Sequence, residues 1–456
     1  MVQERYAKAY YEVFIIALVI TFAPSKLLAY LTPFICIGWF IFRANSGKTL
    51  YRTFIIVAFI LAIIPLYYFI YSGFIVINVF IIILTYSSFI FIFVTPGQIF
   101  SPKYSYLKYI KVIKYTILIQ SFFGIFQLFG LLITTGNFNV DGSTGDVIQG
   151  TINPFSFLTA YGGTFSNAMF AVNMVLLLTF FTPYMLTHRK GFFTFFIGLI
   201  VLFLASVMHV LIGVILGFAI SLVIYRKKIV PKFKIYHLIF IVFLVVGIIV
   251  VAIFAPQNFN NISRYGQKLQ NFDQPKTYIT YQSFTDLPSE YNTMPFIGLG
   301  PGQFASRASL IGTGKYFGEF EKPKKIPFLK GKASPPFDKY LYKLWEKVVT
   351  NPAKYGHSAM TKPYYSILAI YTEFGLIVLM FIFFILFVFI YNNRISYINN
   401  TNRFQKYGLF SIAVMIIFLV FISFIENYLE VPQAIFPGLV AAKFIFFWCN
   451  NFQTTK

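Results

Sequence analysis

Residues 363–391 read PYYSILAIYTEFGLIVLMFIFFILFVFIY, a run with one charged side chain, Glu373. A stretch that long and that apolar fits the thickness of a bilayer, not one face of a soluble core helix. Eleven further apolar runs accompany it, at about 11–24, 27–42, 53–71, 74–95, 111–134, 163–183, 191–207, 209–225, 235–255, 407–425 and 431–449. Of the 456 residues 58% are hydrophobic and only 11% are charged, with a mean hydropathy of +0.73. A soluble domain carries closer to a quarter charged residues, and no soluble surface would hide 60 Phe and 32 Tyr. The pattern predicts an all-α, polytopic membrane protein of about twelve transmembrane helices. Soluble enzymes, disulfide scaffolds and disordered chains are excluded.

The formal net charge of +23 would suggest a nucleic-acid partner on a soluble domain. Here its distribution points to the membrane instead. Basic clusters at Arg5/Lys8, Arg43/Lys48/Arg52, Lys103/Lys108/Lys111/Lys114, Arg189/Lys190, Arg226/Lys227/Lys228/Lys232/Lys234 and Arg394/Arg403/Lys406 all fall in alternate connections. With Lys456 these connections hold twenty basic residues against one acid, Glu4. The positive-inside rule then places both termini in the cytoplasm. The N-terminal run lacks a small-residue cleavage site and reads as a retained first helix. Cys36 and Cys449 lie near opposite ends of the chain and offer no disulfide framework.

This topology divides the chain into helices one to nine (1–256), a large outer loop between helices nine and ten (257–362), and helices ten to twelve (363–456). The loop holds fifteen basic and seven acidic residues. An anionic ligand or anionic lipid headgroups would account for that surplus. Within the loop, residues 338–349 put Tyr340, Leu341, Leu344, Trp345 and Val348 on one helical face and Lys339, Lys343 and Lys347 on another. That is the pattern of a helix lying on the membrane surface. No cytoplasmic connection is long enough for a catalytic domain, so the chemistry is expected in the membrane or on its outer face.

Some chemistries have no residues to carry them. Gly312-Thr-Gly-Lys315 lacks the remaining positions of a phosphate-binding loop. No His/Cys/Asp spacing suggests a metal, and no outer loop has the Asp-x-Asp that would hold a divalent cation. Five groups of candidates remain. His357, just before the tenth helix, has an imidazole suited to general-base work near neutral pH. Glu373 lies roughly 15 Å deeper on that helix; at such depth it requires a partner, such as Lys443, and is either functional or structural. Gly298-Leu-Gly300-Pro-Gly302 can turn backbone N–H groups toward an anion or form a simple turn. His209, in the hairpin Ser206-Val-Met-His209, either faces a site or caps the turn. Arg264, Lys268, Lys276 and Arg307 are either pyrophosphate ligands or ordinary surface charge.

Taken in order, four stretches resemble the O-antigen polymerase/ligase superfamily of bacterial inner-membrane glycosyltransferases. They are Gly163-Thr-Phe-Ser-Asn167, the hairpin from Leu204-Ala-Ser206 through Gly213 and Gly217, the segment Pro295-Phe-Ile-Gly-Leu-Gly-Pro-Gly-Gln-Phe304, and His357 followed by Glu373-Phe-Gly375. The resemblance covers about 160–390. It implies a metal-independent and cofactor-free transferase with an undecaprenyl-pyrophosphate-linked glycan as donor. It further implies catalytic roles for His357 and Glu373, and donor contacts from Arg264, Lys268, Lys276, Arg307, His209, Gly300, Gly302 and Asn167. Membrane lipids, a chain-length regulator and a flippase are the partners it suggests. The family's hairpin commonly has Arg where this chain has Val207, and its His is often followed by Asn where this chain has Ser358. A polymerase is the leading expectation; a ligase or protein-glycosylating enzyme of the same family, and a polysaccharide transporter, are the alternatives.

Overall fold

Inside a bilayer every backbone N–H and C=O must find a partner within the protein, and an apolar run satisfies that requirement as a helix. In a computed structural model of the chain, every regular element among the described residues is helical. The structure describes residues 2–71, 73–97, 104–136, 144–158, 167–188, 191–229, 249, 274–316, 332–351 and 361–451. The elements in chain order are α1 (Val2–Thr21), α2 (Lys26–Ala44), α3 (Gly47–Ile70), α4 (Val76–Thr85), α5 (Ser87–Val94), α6 (Tyr106–Thr135), α7 (Thr144–Val147), α8 (Asn167–Thr187), α9 (Phe192–Leu204) and α10 (Met208–Ile229). Four short helices follow: α11 (Pro275–Phe284), α12 (Asp286–Glu290), α13 (Met294–Ile297) and α14 (Arg307–Gly312). The chain ends with α15 (Lys343–Thr350), α16 (Ser366–Asn399), α17 (Arg403–Ser423) and α18 (Pro432–Asn451).

The chain is a multi-pass membrane protein, and the described residues account for part of the twelve expected spans. Among the described residues eight helices are long and apolar enough to cross a membrane, or nine if α4 and α5, bent by 68°, form one broken span. The physical reasons are local. Helix α1 carries Glu4, Arg5, Lys8 and Glu12 and falls outside that count. Helix α9 has 13 residues, about 20 Å of rise, which is short of a bilayer core. The run expected at 235–255 lies almost wholly outside the described residues.

Helices α8, α17 and α18 form the centre, each with 78% of its apolar window buried, whereas the windows of α3 and α16 are only 6% buried. Phe170, Phe180, Leu409, Phe418, Phe436 and Phe444 belong to one buried cluster there. Helix α10 packs on α17 through Gly213-Val-Ile-Leu-Gly217. A Cβ on Gly217 would lie 3.0 Å from the Val414 carbonyl and one on Gly213 2.8 Å from the Phe421 ring. Small residues four apart permit such close approach.

Residues 144–158 fold back against α6 and reach Gln120, near the middle of that helix. Their backbone is held by two glutamines. Gln127 accepts from the N–H groups of Gln149 and Gly150 and donates to the carbonyls of Gly150 and Asn153. Gln120 accepts from Thr151 N and donates to its hydroxyl. Irregular backbone at this depth is tolerated because the protein supplies its partners.

Residues 274–316 and 332–351 pack on one end of the bundle. A second core forms there from Ile279, Met294, Leu299, Phe304, Phe337, Leu341, Trp345 and Leu368 among others. Part of the apolar face expected for a surface-lying helix at 338–349 packs into this core. A π-turn (Phe337–Tyr342) leads into α15, and Leu341, Trp345 and Val348 are buried against protein. The amphipathic face is real, and what covers it is the chain itself.

Candidate functional site

The site is organised by a break in α16. At Gly375 the backbone has φ 79° and ψ 172°, which interrupts the helix. The carbonyls of Thr372 and Glu373 then lack the N–H groups four residues on. The glycine-rich segment replaces them, with Leu299 N donating to Thr372 O (2.8 Å) and Gly300 N to Glu373 O (3.0 Å). The two backbones touch. A Cβ on Gly298 would sit 2.2 Å from the Glu373 carbonyl carbon, and one on Gly375 2.1 Å from Phe296 O. Both residues also have positive φ, so glycine is required twice over.

The same segment encloses the Glu373 side chain, which is fully buried. Oε2 accepts from Gly302 N (2.6 Å), and Oε1 accepts from Phe304 N (2.8 Å) and Ser306 N (2.9 Å). Backbone N–H groups of alternate residues thus converge on one carboxyl. Of the two glycines expected to cradle an anion, Gly302 donates its N–H to the Glu373 carboxyl and Gly300 donates to the Glu373 backbone carbonyl. With both oxygens engaged, Glu373 is placed to hold the loop in position. The suggested pairing with Lys443 does not occur. Lys443 donates to Ile92 O (2.5 Å), Thr95 O (2.6 Å) and the Thr95 hydroxyl (2.8 Å), closing the end of α5.

One residue beyond the loop, Arg307 opens α14 and enters a buried charged cluster. Its backbone N donates to Glu430 Oε2 (2.5 Å), its Nε to Asn427 O (3.0 Å), its Nη1 to Tyr316 OH (2.7 Å) and its Nη2 to Glu426 Oε1 (3.0 Å). Lys362 donates to the same Glu426 oxygen at 3.0 Å. Lys276, from α11, donates to Ile425 O. His209 Nε2 and Tyr428 OH lie 2.6 Å apart. These residues come from three loop segments and from the start of α10, and they meet at the turn between α17 and α18.

Burial and charge set the protonation states. Burial pushes the Glu426 carboxyl upward, but Lys362 and Arg307 together outweigh it and bring the pKa down to about 2. Burial opposes the charge on Lys362, yet Glu426 raises its pKa above the ordinary lysine value. Lys276 is brought down to about 7, by burial first, with Glu426 opposing and Lys362 reinforcing. Glu430 is pushed well above the carboxylate range by burial and by Glu373, which favours its neutral form. One ionised carboxylate, Glu426, thus faces three basic side chains. Glu430 Oε1 and Asn427 Oδ1 are buried beside them without a hydrogen-bond partner among the described residues.

Six of the expected residues therefore fall in two adjoining groups: Gly300, Gly302 and Glu373 in the loop latch, and Lys276, Arg307 and His209 at the charged cluster. Asn167 lies elsewhere, its Nδ2 donating to Asp146 Oδ1 at 2.8 Å beside the folded-back segment. His357, Arg264 and Lys268 lie outside the described residues. Sequence reasoning named none of Lys362, Glu426, Asn427, Tyr428 and Glu430 as site residues. The available signal was Glu426 and Glu430, four apart at the end of an apolar run. Among the described residues no three His, Cys, Asp or Glu side chains gather closely enough to hold a metal ion. No family model matches the chain, and no curated protein and no solved structure matches it.

Proposed function

We propose that the protein is a membrane glycosyltransferase that joins undecaprenyl-pyrophosphate-linked oligosaccharide units into O-antigen or capsular chains. In this reading it sits in a bacterial plasma membrane with both termini in the cytoplasm and the charged cluster on the outer side. The observation that carries the reading is the buried charged cluster itself: Arg307 and Lys362 converge on Glu426 Oε1, and Lys276 reaches the carbonyl of the preceding residue, Ile425. Arg307 and Lys362 share a single carboxylate oxygen, and charge-assisted donors gathered in this way suit an anionic ligand. Guanidinium and ammonium groups of this kind bind a pyrophosphate and stabilise it as it departs.

The reaction then follows from ordinary acid–base chemistry. The acceptor hydroxyl oxygen bonds to the donor's anomeric carbon while the bond from that carbon to the pyrophosphate oxygen breaks. His357, on the strength of the family resemblance, takes the hydroxyl proton. Arg307 and Lys362 bear the charge left on the lipid pyrophosphate. Glu373 holds the loop from which Arg307 projects, so its part is positioning. The unpartnered Asn427 and Glu430 oxygens are suited to sugar hydroxyls.

The test is a length-resolved product assay with full-length protein in nanodiscs, lipid-linked repeat units as donor, and EDTA present. A ladder of products that falls by about 10²-fold or more in Arg307→Ala, with partial recovery in Arg307→Lys, is the expected result. Product only when lipid A-core or protein is supplied would make it a ligase or a protein transferase. Transport of the lipid-linked glycan across vesicles without any transfer product would overturn the reading in favour of a transporter.

A further inference from the structure

Helix α11 shows two different faces. Lys276, Ile279, Gln282 and Ser283 are buried, and Lys276 reaches the charged cluster. Tyr278, Tyr281 and Phe284, spaced three apart, are exposed by 44, 53 and 60%, and that spacing keeps them on one side of a helix. The level of this aromatic stripe is set by its neighbours. Phe284 stacks on Tyr371 of α16 with ring centroids 4.6 Å apart, and Thr280 Oγ1 lies 3.1 Å from Tyr365 OH just before that helix. Up to Gly375 most of α16 is buried in protein, and its exposed apolar surface begins at Leu376 and Ile377. Phe296, whose carbonyl touches Gly375, is itself exposed. On α3, Tyr67 donates to Ile297 O, and Phe69, two residues on, is 86% exposed.

These contacts put Phe69, Phe296 and Phe284 at the level where the lipid-facing surfaces of α3 and α16 begin, and Tyr281 and Tyr278 continue the same side of α11 from Phe284. Aromatic side chains concentrate at the boundary between lipid tails and headgroups. We infer that α11 lies on the bilayer, with Tyr278, Tyr281 and Phe284 seated in the headgroup boundary, and that this contact fixes the helix that carries Lys276 into the cluster. Its partner is the lipid surface, continuous with the bilayer around α3 and α16. Helix α15, whose apolar face is covered by protein, has no such contact. The inference holds whatever reaction the cluster performs.

The experiment uses full-length protein in phosphatidylcholine nanodiscs, with an environment-sensitive fluorophore on a Tyr281→Cys variant. Cys36 and Cys449 are both buried, which limits background labelling. Phe381→Cys, on the exposed face of α16, is the lipid reference, and Lys347→Cys on α15 is the water reference. Quenching by lipid that carries a nitroxide near its carbonyls should approach that at Phe381→Cys and exceed that at Lys347→Cys by roughly threefold. Equal quenching at Tyr281→Cys and Lys347→Cys overturns the inference. So does protection from aqueous iodide that appears only when oligosaccharide is added, which would make the stripe a sugar-stacking surface. Tyr278→Cys, on the same face, is read in the same way and decides the matter if Tyr281→Cys does not fold.

Discussion

Glu373 and Glu426 are both buried carboxylates at the same end of the bundle, and they are satisfied by opposite means. Glu373 is bound by three backbone N–H groups, and among the described residues it has no salt bridge. Glu426 is bound by two cationic side chains, Arg307 and Lys362. Backbone donors are fixed by the fold, so the first arrangement is architectural: it ties the loop 298–306 to the broken helix. Charged side chains can change partners, and under the proposed function the second arrangement would release its cations to an incoming anion. The lesson concerns where chemistry is to be sought. Under the proposed function, the acid whose partners can move belongs to the anion site, and the one whose partners cannot move supports it.

The comparison breaks most visibly at Glu373. Glu373→Ala leaves the N–H groups of Gly302, Phe304 and Ser306 buried without acceptors. At about 1–3 kcal/mol for each orphaned group, the loss should be on the order of 5 kcal/mol. Thermal unfolding in detergent would register it, and a loss below about 1 kcal/mol would show that the loop does not depend on the carboxylate. No change of a neighbouring cation should rescue this variant, because none is bonded to Glu373.

Glu426→Gln tests the other half. It leaves Arg307 and Lys362 buried without their counter-charge, a change that costs about 3–5 kcal/mol. Here rescue is expected. Adding Lys362→Met removes one of the two uncompensated charges, and the double variant should recover at least about 1 kcal/mol relative to additivity. Strict additivity in that cycle would mean that the two groups are not coupled, and the distinction between the two acids would lose its basis.

The difference between the acids also explains how much could be read without a structure. The apolar runs gave the all-α membrane class directly, since hydropathy reports composition. They did not give the number of spans, because hydropathy does not register a 68° bend after Thr85 or the premature end of α9 at Leu204. Glu373 was legible as a carboxylate that needed a partner. The partner was not, because a backbone N–H leaves no mark on residue identity, and Lys443 was the nearest side-chain guess. The glycines at 298, 300 and 302 were legible as a possible anion cradle, but not the fact that the Gly302 N–H would meet a carboxyl 71 residues further on. Lys362 and Glu426, 64 positions apart, carry no local signal of their pairing. The amphipathic face of 338–349 was correctly placed on a helix, while periodicity alone could not tell a protein cover from a lipid one.

Lys276 offers the smallest effect and the finest distinction, because its charge is expected to matter in opposite directions for stability and for ligand binding. Its folded pKa of about 7 lies below the unfolded lysine value, burial being the main cause. Between those two values the unfolded chain binds more protons than the folded one. Stability must therefore rise with pH across that window, and the penalty for burying the charge is fully present below about 7. From pH 7 to 8.5 the gain should be roughly 1–2 kcal/mol. Binding of an anionic donor should move the other way, weakening over the same range as the ammonium loses its proton. Lys276→Met removes the titrating group and should flatten both slopes, raising stability at pH 6 while lowering donor affinity there. Donor affinity with the same pH dependence in parent and Lys276→Met would remove Lys276 from the anion site and leave Arg307 and Lys362 to carry it. Slopes that separate as described would place all three cations around one ligand, something the backbone-held Glu373 could not do.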